Sequence, residues 1–341
     1  TQTDPITLTD WATADCSTTP NTGSLNATTN PTSAIAGIST FTNVNHESAG
    51  PLYLRASNGA LSTCSTLVTV ANANPSAATS TITGTGAVIA DGVSTSTVTI
   101  TLLDAFSNPI VGTLPTFDAT NTGGSNNYSI CTNTDASGVS TCTMTSTYAE
   151  TKTLAITGPI ADSGGTVSFV AGVATAANSN ITGTGPVVAD DTATSTVTIT
   201  LIDNFSNPLI GTVPTFSATD TGATNGYSVC TSSNASGVSA CTLKSSVAET
   251  KTLSITGPIA DTGGTVIFVA GTAVAANSNI TGTGPVVADD TATSTVTITL
   301  IDIFSNPIVG TIPTFDATDT GGGNDYSVCT SSDASGVSTC T

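Results

Sequence analysis

Hydrophobic and polar residues alternate along much of the chain, with threonine or serine at every second position. Val98, Ile100 and Leu102, for example, alternate with three threonines. A period of two with β-branched residues on both faces is typical of a β-strand. Turn signals follow at short intervals: Ser107-Asn108-Pro109, Gly123-Gly124, residues 135–138, Gly158-Pro159 and residues 163–165. This spacing suits about seven short strands per unit and predicts an all-β sandwich.

The strand pattern repeats every 99 residues without insertion or deletion. Asp104 recurs as Asp203 and Asp302, and Cys131 recurs as Cys230 and Cys329. A unit of this size can hold its own core, so each repeat is predicted to be one domain. We predict a divergent domain lacking its first strand at 1–72, repeats at 73–173 and 174–272, and a repeat lacking its last strands at 273–341.

The prediction for residues 1–72 depends on two short similarities. Residues 6–10 resemble residues 100–104, and residues 37–42 resemble residues 138–143. The opposite end lacks counterparts of residues 152–171, and an open sandwich would expose core and unpaired strand edges. We expect either that the sequence is a window from a longer polypeptide or that another chain supplies the strands, as in donor-strand complementation.

Composition narrows the class of protein. Hydrophobic residues make up 38% of the chain, which argues against disorder. The net charge of -19, with only four basic residues, argues against a nucleic-acid partner. No apolar run reaches the length of about 18–20 residues that a membrane span needs, so no direct membrane insertion is expected in this segment.

The eight cysteines are regularly placed and favour disulfides over a metal site, since only one histidine is present. If Thr134 faces Val139 across the turn at 135–138, counting outward places Cys131 opposite Cys142, at a separation that a disulfide can bridge. The same count pairs Cys230 with Cys241 and Cys329 with Cys340, and elimination pairs Cys16 with Cys64. Persistent disulfides imply an oxidising, extracellular compartment.

Several other side chains have two interpretations. Phe106, Phe117, Tyr128 and Phe169 are expected in the core rather than on a sugar platform. His46 is expected to lie exposed in a loop, and Glu150 with Lys152 to form a surface ion pair.

Six sequons and two acidic pairs complete the set of candidate sites. Calcium could bind the acidic pairs, but solvated acidic loops are the more typical interpretation, and no cofactor is otherwise expected. Glycosylation of the sequons depends on the source. The acidic pairs are Asp190 with Asp191 and Asp289 with Asp290; the sequons are Asn26, Asn127, Asn180, Asn204, Asn234 and Asn279.

Four runs of the first complete repeat, taken together, resemble a known family: Ala90-Asp91-Gly92, residues 97–101, Asn108-Pro109 with Val111-Gly112, and residues 134–139. They resemble the bacterial immunoglobulin-like repeats of invasin, intimin and many large surface proteins, and the resemblance covers about residues 74–341. It implies tandem immunoglobulin-like sandwiches, arranged as an extended array that carries a surface protein away from the cell.

The expected function is therefore structural: a stalk or filament shaft of a large adhesin-like surface protein or secreted filament. Its expected partners are neighbouring copies or further repeats of the same chain. The alternatives are a fibre subunit that assembles by strand exchange and a carbohydrate- or receptor-binding module in residues 1–72, which hold the only tryptophan, Trp11. No non-repeating polar cleft indicates an enzyme.

Overall fold

The computed structural model describes residues 4–17, 24–222, 225–321 and 323–341. These residues form strands, turns and loops without a helix, so the predicted all-β class is confirmed. No helix in the described ranges is long and apolar enough to cross a bilayer. The chain divides into two compact units, residues 1–170 and 171–341.

The first segment of the first unit is centred on one long strand, β4. This strand pairs antiparallel with β1 along one edge and with β5 and β6 along the other. A disulfide joins Cys16, beyond the end of β1, to Cys64 in β5. The strands are β1 (Thr7–Trp11), β2 (Leu25–Asn26), β3 (Asn45–His46), β4 (Gly50–Ser57), β5 (Ser62–Cys64) and β6 (Val68–Val70).

The next repeat is a sandwich of two four-stranded sheets. One sheet has the order β11-β12-β9-β7, and the other has the order β10-β13-β14-β8, in which β8 runs parallel to β14. The strands are β7 (Thr81–Gly84), β8 (Val88–Ile89), β9 (Ser96–Thr101), β10 (Thr116–Ala119), β11 (Asn126–Tyr128), β12 (Val139–Ser146), β13 (Thr151–Gly158) and β14 (Asp162–Val170).

The second unit begins with a repeat of the same topology. Its sheets have the orders β15-β17-β20-β19 and β16-β22-β21-β18. The strands are β15 (Asn180–Gly183), β16 (Val187–Val188), β17 (Ser195–Thr200), β18 (Thr215–Ala218), β19 (Gly226–Tyr227), β20 (Val238–Lys244), β21 (Thr250–Gly257) and β22 (Asp261–Val269).

Strand β1 does not take the place that the sequence similarity predicts. That similarity equates residues 6–10 with the end of β9, which pairs with β12. In the structure β1 pairs with β4, the strand before the Gly59 turn, just as β10 pairs with β13 before Gly158. Residues 37–42 contain no strand. The polar alternation identified a strand correctly but did not identify its partner.

The alternation along β9 produces the core of the first complete repeat. Ser96, Val98 and Ile100 are buried, while Thr97 is exposed. Val98 and Ile100 join residues of the second sheet, including Leu154, Ile156 and Phe169, in one apolar cluster. The side chains of a strand alternate between its two faces, so threonine every second residue leaves the other face free for this core.

The cysteine hairpin has the expected register. The amide of Thr132 donates to the carbonyl of Thr141 at 3.0 Å, which places Cys131 opposite Cys142. The two Cα atoms are 4.3 Å apart, as in a pair that exchanges no backbone hydrogen bonds, and a disulfide joins the cysteines. Cys230 with Cys241 and Cys329 with Cys340 form the same bridge, also with Cα atoms 4.3 Å apart. All four disulfides are the pairs predicted above.

Two of the four aromatic residues expected in the core are outside it. Phe117 and Phe169 are buried, but Phe106 is 56% exposed and Tyr128 is 39% exposed. Phe106 lies in the turn after Asp104. Tyr128 packs edge-on against Phe117 with ring centroids 5.1 Å apart, and its hydroxyl donates to Asp118 at 2.6 Å. The core prediction was therefore wrong for Phe106 and Tyr128.

The final repeat has a much smaller core within its described residues. Its sheet consists of β23 (Asn279–Gly282), β24 (Val296–Thr299) and β25 (Val337–Cys340). Ile280 is 53% exposed, whereas its counterparts Ile82 and Ile181 are 3% and 2% exposed. The buried cluster reduces to Ile298, Cys329 and Cys340. The predicted domain boundaries stay predictions from the repeat.

The two sheets of a complete repeat touch where β14 passes β7. A Cβ atom added at Gly165 would lie 2.1 Å from the carbonyl oxygen of Ile82. Gly264 stands in the same relation to Ile181, at 2.2 Å. Since backbone atoms fill this space, only glycine fits there.

Gly165→Ala should lower the free energy of unfolding of the repeat by about 1–3 kcal/mol, because one sheet must shift to admit the methyl group. The neighbouring Gly164 is a matched control, since its added Cβ would meet no atom within 4 Å. Gly164→Ala should change the stability by less than about 0.5 kcal/mol. Urea unfolding of residues 73–173, expressed under oxidising conditions and followed by circular dichroism, measures both. Equal stability of the two variants would contradict this account of the sheet contact.

Candidate functional site: the turns that join successive repeats

Each repeat has a buried aspartate at the turn that follows its central strand. Asp104, Asp203 and Asp302 are 1%, 2% and 1% exposed. Each turn has the sequence Asp-x-Phe-Ser-Asn-Pro, and its serine has a positive φ, 67° at Ser107. From the sequence, this motif predicts only the end of a strand. The signal for a further role is an aspartate that recurs with an asparagine four residues after it.

The carboxylate of Asp302 accepts four hydrogen bonds from nitrogen donors. Its Oδ1 accepts from the amides of Phe304 and Asn306 at 2.9 and 2.8 Å. Its Oδ2 accepts from the side chain of Asn306 and from the amide of Gly271, both at 2.9 Å. Gly271 lies in the linker that follows β22. One carboxylate therefore closes its own turn and holds the linker that enters its repeat.

The asparagine of the turn contacts the preceding repeat. Asn306 Oδ1 accepts from the amide of Ala248 at 2.8 Å, and its Nδ2 donates to the carbonyl of Ser246 at 2.9 Å. Because Nδ2 also donates to the Asp302 carboxylate, the amide group can point in only one direction. We call this arrangement, comprising the aspartate, the asparagine, the linker amide and the bound loop, the junction clasp.

The same clasp joins the first two segments of the chain. Asp104 Oδ2 accepts from the linker amide of Ala73 at 3.0 Å and from Asn108 Nδ2 at 2.8 Å. Asn108 Oδ1 accepts from the amide of Ala49 at 2.8 Å, and its Nδ2 donates to the carbonyl of Glu47 at 2.7 Å. A divergent domain and a regular one thus share one junction.

The clasp keeps its aspartates ionised. Burial raises the pKa of the Asp302 carboxyl, but the hydrogen bonds from Asn306, Gly271 and Phe304 outweigh burial and hold the pKa below its ordinary value. Asp104 and Asp203 have pKa values lowered by the same balance of burial and hydrogen bonds. A buried carboxylate without a cation is tolerated only where such donors surround it.

The loop that Asn108 binds is itself fixed by a histidine. His46 Nε2 lies 3.0 Å from Asp10 Oδ2, and Nδ1 lies 2.8 Å from the carbonyl of Ser48. The histidine side chain is only 3% exposed. The prediction of an exposed loop histidine was therefore wrong, because the carboxylate of Asp10 gives the imidazole a buried polar partner.

A buried ion pair follows the loop at Ala248, and the preceding repeat has the equivalent pair. Lys251 Nζ is 2.5 Å from Glu249 Oε1, and Lys152 Nζ is 2.5 Å from Glu150 Oε1. Both lysine side chains are 0% exposed. The prediction of a surface pair was therefore wrong. Each lysine points into the sandwich and also donates to a backbone carbonyl; Lys152 donates to the carbonyl of Thr120 at 3.3 Å.

The remaining candidate residues lie in turns and on exposed surfaces. Asp190 Oδ1 accepts from the amides of Thr192 and Ala193, and Asp191 Oδ1 lies 3.3 Å from Lys244 Nζ. Asp289 makes the same turn as Asp190, and Asp290 follows it with a positive φ of 61°. The described ranges hold no group of three or more His, Cys, Asp or Glu side chains suited to a metal ion. All six sequon asparagines, at 26, 127, 180, 204, 234 and 279, are exposed.

Asn306→Asp should loosen the clasp by about 2–3 kcal/mol, because it replaces two donated hydrogen bonds with a carboxylate beside that of Asp302. Hydrogen exchange of the full chain, analysed by mass spectrometry, should show faster exchange in peptides that contain Ala248 and Gly271. Asn324→Asp adds the same charge at an exposed position of the same repeat and should leave these peptides unchanged. Unaltered exchange in Asn306→Asp would show that the clasp does not hold the loop.

Acid should remove the contribution of the clasp. Because the folded pKa of Asp302 is lowered, its contribution to stability is fully present above the ordinary aspartate pKa of about 3.9 and is lost as the pH falls through the folded pKa. The stability difference between the unmodified chain and Asp302→Asn should therefore be largest above about pH 5 and should shrink below pH 4. Denaturant titrations at a series of pH values measure it. A difference that grows on acidification would contradict the assignment.

Comparison with known proteins shows that these repeats are similar to domains of bacterial adhesins. Residues 76–172 match the family model of invasin, domain 3. The Escherichia coli adhesin FdeC has a similar structure, with 23% sequence identity over 80% of this chain and 90% of that chain, at a TM-score of 0.60. InvD of Yersinia pseudotuberculosis is 21% identical over 67% of this chain and 72% of that chain, at a TM-score of 0.50. No curated protein sequence matches the chain.

These similarities agree with the sheet orders and with the resemblance inferred from the sequence. Levels of identity such as these establish the fold and leave function to separate argument. The predicted resemblance is confirmed: the chain is built of tandem immunoglobulin-like β-sandwich repeats, and residues 76–172 match the family model of invasin, domain 3.

Proposed function

We propose that this chain is a stalk or filament-shaft segment of a large extracellular, adhesin-like surface protein, and that it has no enzymatic role. The single observation that carries the proposal is the junction clasp. Equivalent hydrogen bonds, from a linker amide to the aspartate and from a loop amide to the asparagine, form at the junction near Ala73 and at the junction near Gly271. The match of residues 76–172 to invasin domain 3 supports the adhesin-like setting.

The clasp suits a segment in which adjacent domains must not move relative to each other. Adjacent domains in one chain usually move relative to each other, unless their interface is large and apolar. Here the buried aspartate holds the linker and the asparagine beside it holds the loop of the preceding repeat, so bending the junction breaks several hydrogen bonds at once. Tandem copies joined in this way add reach with each repeat.

The chemistry of the surface supports an extracellular setting. Disulfides staple every repeat, and they persist in oxidising compartments. A net charge of -19 disfavours nucleic acid as a partner. The partners proposed for this segment are further repeats of the same chain or neighbouring copies of it, without direct membrane insertion.

A second candidate function, strand exchange within a fibre, is favoured by the exposed core of the final repeat. Val286 and Ile280 are 49% and 53% exposed. Val286 lines an open groove of the final repeat. In the complete repeats, the counterparts of β23, which are β7 and β15, pack against β14 and β22. A hairpin resembling residues 250–269 would cover the groove, supplied either by the continuing chain or by another copy.

Electron microscopy and mass spectrometry of the native material test the two candidates together. A polypeptide far heavier than 33.4 kDa that forms single threads of constant width would support the stalk, because each clasped repeat would continue the last. A native mass near 33.4 kDa with ordered helical fibres would reject the stalk and support strand exchange. Threads that bend freely at every junction would contradict the role given to the clasp.

A further inference from the structure

The outer face of the β1–β4 sheet differs from that of every other repeat. Cross-strand pairs on this face join Thr9 to Arg55 and Trp11 to Tyr53. The corresponding outward face of β10 and β13 in a regular repeat has small or acidic side chains, those of Thr116, Asp118, Thr153 and Ala155. The only tryptophan and the only arginine of the chain therefore lie side by side on one sheet face, where both are half-buried.

Arg55 is the one basic residue without a carboxylate partner in the described part of the chain. Lys152, Lys244 and Lys251 each form an ion pair with an acidic side chain. All 23 acidic residues of the sequence lie within the described ranges. An arginine left unpaired among so many carboxylates keeps its charge available for a group from outside the chain.

The guanidinium group of Arg55 is held in a defined position. Its central carbon lies 5.3 Å from the centroid of the Trp11 ring, in a cation–π contact. The indole Nε1 donates to Thr9 Oγ1 at 2.9 Å, which fixes the ring. The guanidinium group donates no hydrogen bond to another described side chain, so its planar set of N–H donors remains available.

A cleft of about 740 Å³ borders this pair. Hydroxyl and amide side chains line it, among them Thr7, Ser57 and Asn58, and Asp4 lies in the same cleft. The volume falls within the range of sites that take a ligand of several rings, and it exceeds the need of a bare anion. The lining suits a ligand rich in hydroxyl groups.

We propose that this face binds a glycan that carries carboxylate groups, with one carboxylate held by Arg55. A guanidinium edge matches a planar carboxylate with two parallel hydrogen bonds. The hydroxyl and amide groups of the cleft exchange hydrogen bonds with the sugar hydroxyls, and the carboxylate of Asp4 accepts hydrogen bonds from them. This binding role is additional to the stalk and does not depend on it.

Charge favours a carboxylated glycan over sulfated or phosphorylated polyanions. One cation within a chain of net charge -19 cannot offset the repulsion of a densely charged ligand. A ligand with single, well-spaced negative charges meets far less repulsion. Binding should weaken only modestly with salt, since one ion pair is formed.

The fluorescence of the single tryptophan reports on this site directly, because Trp11 is the only one in the chain. The full chain is titrated with a sialylated oligosaccharide, which carries one carboxylate, and with its methyl ester, which has the same rings without the charge. The panel is extended to oligogalacturonate, with one carboxylate per ring, and to a heparin fragment. We expect saturable fluorescence changes with carboxylated glycans and none with the ester.

Variants of Arg55 then distinguish the contribution of its positive charge from that of its planar set of donors. Arg55→Gln should weaken binding at least tenfold, and Arg55→Lys should weaken it several-fold, because lysine keeps the charge and loses the planar fork. Lys244→Gln, which removes a charge from an exposed lysine elsewhere, should bind as the unmodified chain does. Circular dichroism verifies that each variant is folded.

Three results would overturn the proposal. These are equal binding by Arg55→Gln and the unmodified chain, equal binding of the ester and the acid, and the absence of binding to every carboxylated glycan of the panel by the folded chain. Tighter binding of the heparin fragment than of any carboxylated glycan would also reject it. None of these results bears on the junction clasp, which lies outside the cleft.

Discussion

A buried carboxylate that accepts its hydrogen bonds from uncharged nitrogen donors, repeated at each turn after the central strand, is the interaction on which the architecture depends. Asp302 is stabilised only when its own turn, the Asn306 side chain and the linker amide of Gly271 are all in place. If any of these donors moved away, a charge would remain buried with too few partners, at a cost of several kcal/mol. The end of a strand, the entry of the linker and the junction to the preceding repeat therefore form as one structure.

Features that depend on short-range patterns could be predicted from the sequence. The alternation of threonine with valine and isoleucine gives strand faces directly, and the turn at residues 135–138 fixes the hairpin register by counting. For that reason the β9 core face and the partner of Cys131 follow from the sequence alone. Local geometry permits one answer in each case.

Features that depend on distant partners could not be predicted. Asn108 and the amide of Ala49 are 59 residues apart, and no local pattern indicates that they meet. Lys152 lies on the same face of β13 as Leu154 and Ile156, but no local pattern indicates the carbonyl of Thr120, 32 residues away, that accepts from its ammonium group. The pairing of β1 with β4 likewise joins two segments that are distant in the sequence. Through that pairing Trp11 and Arg55 become neighbours.

The placement of the four basic residues has a consequence for the durability of the chain. Trypsin-like proteases cleave after lysine or arginine, and every such residue here lies within a strand, at β4, β13, β20 or β21. Two of the lysine side chains are 0% exposed. A paired strand must open before its backbone can enter a protease active site. Lys244 is the last residue of β20, so its bond to Ser245 lies at a strand end, whereas the other three bonds lie within strands and are protected while the repeats stay folded.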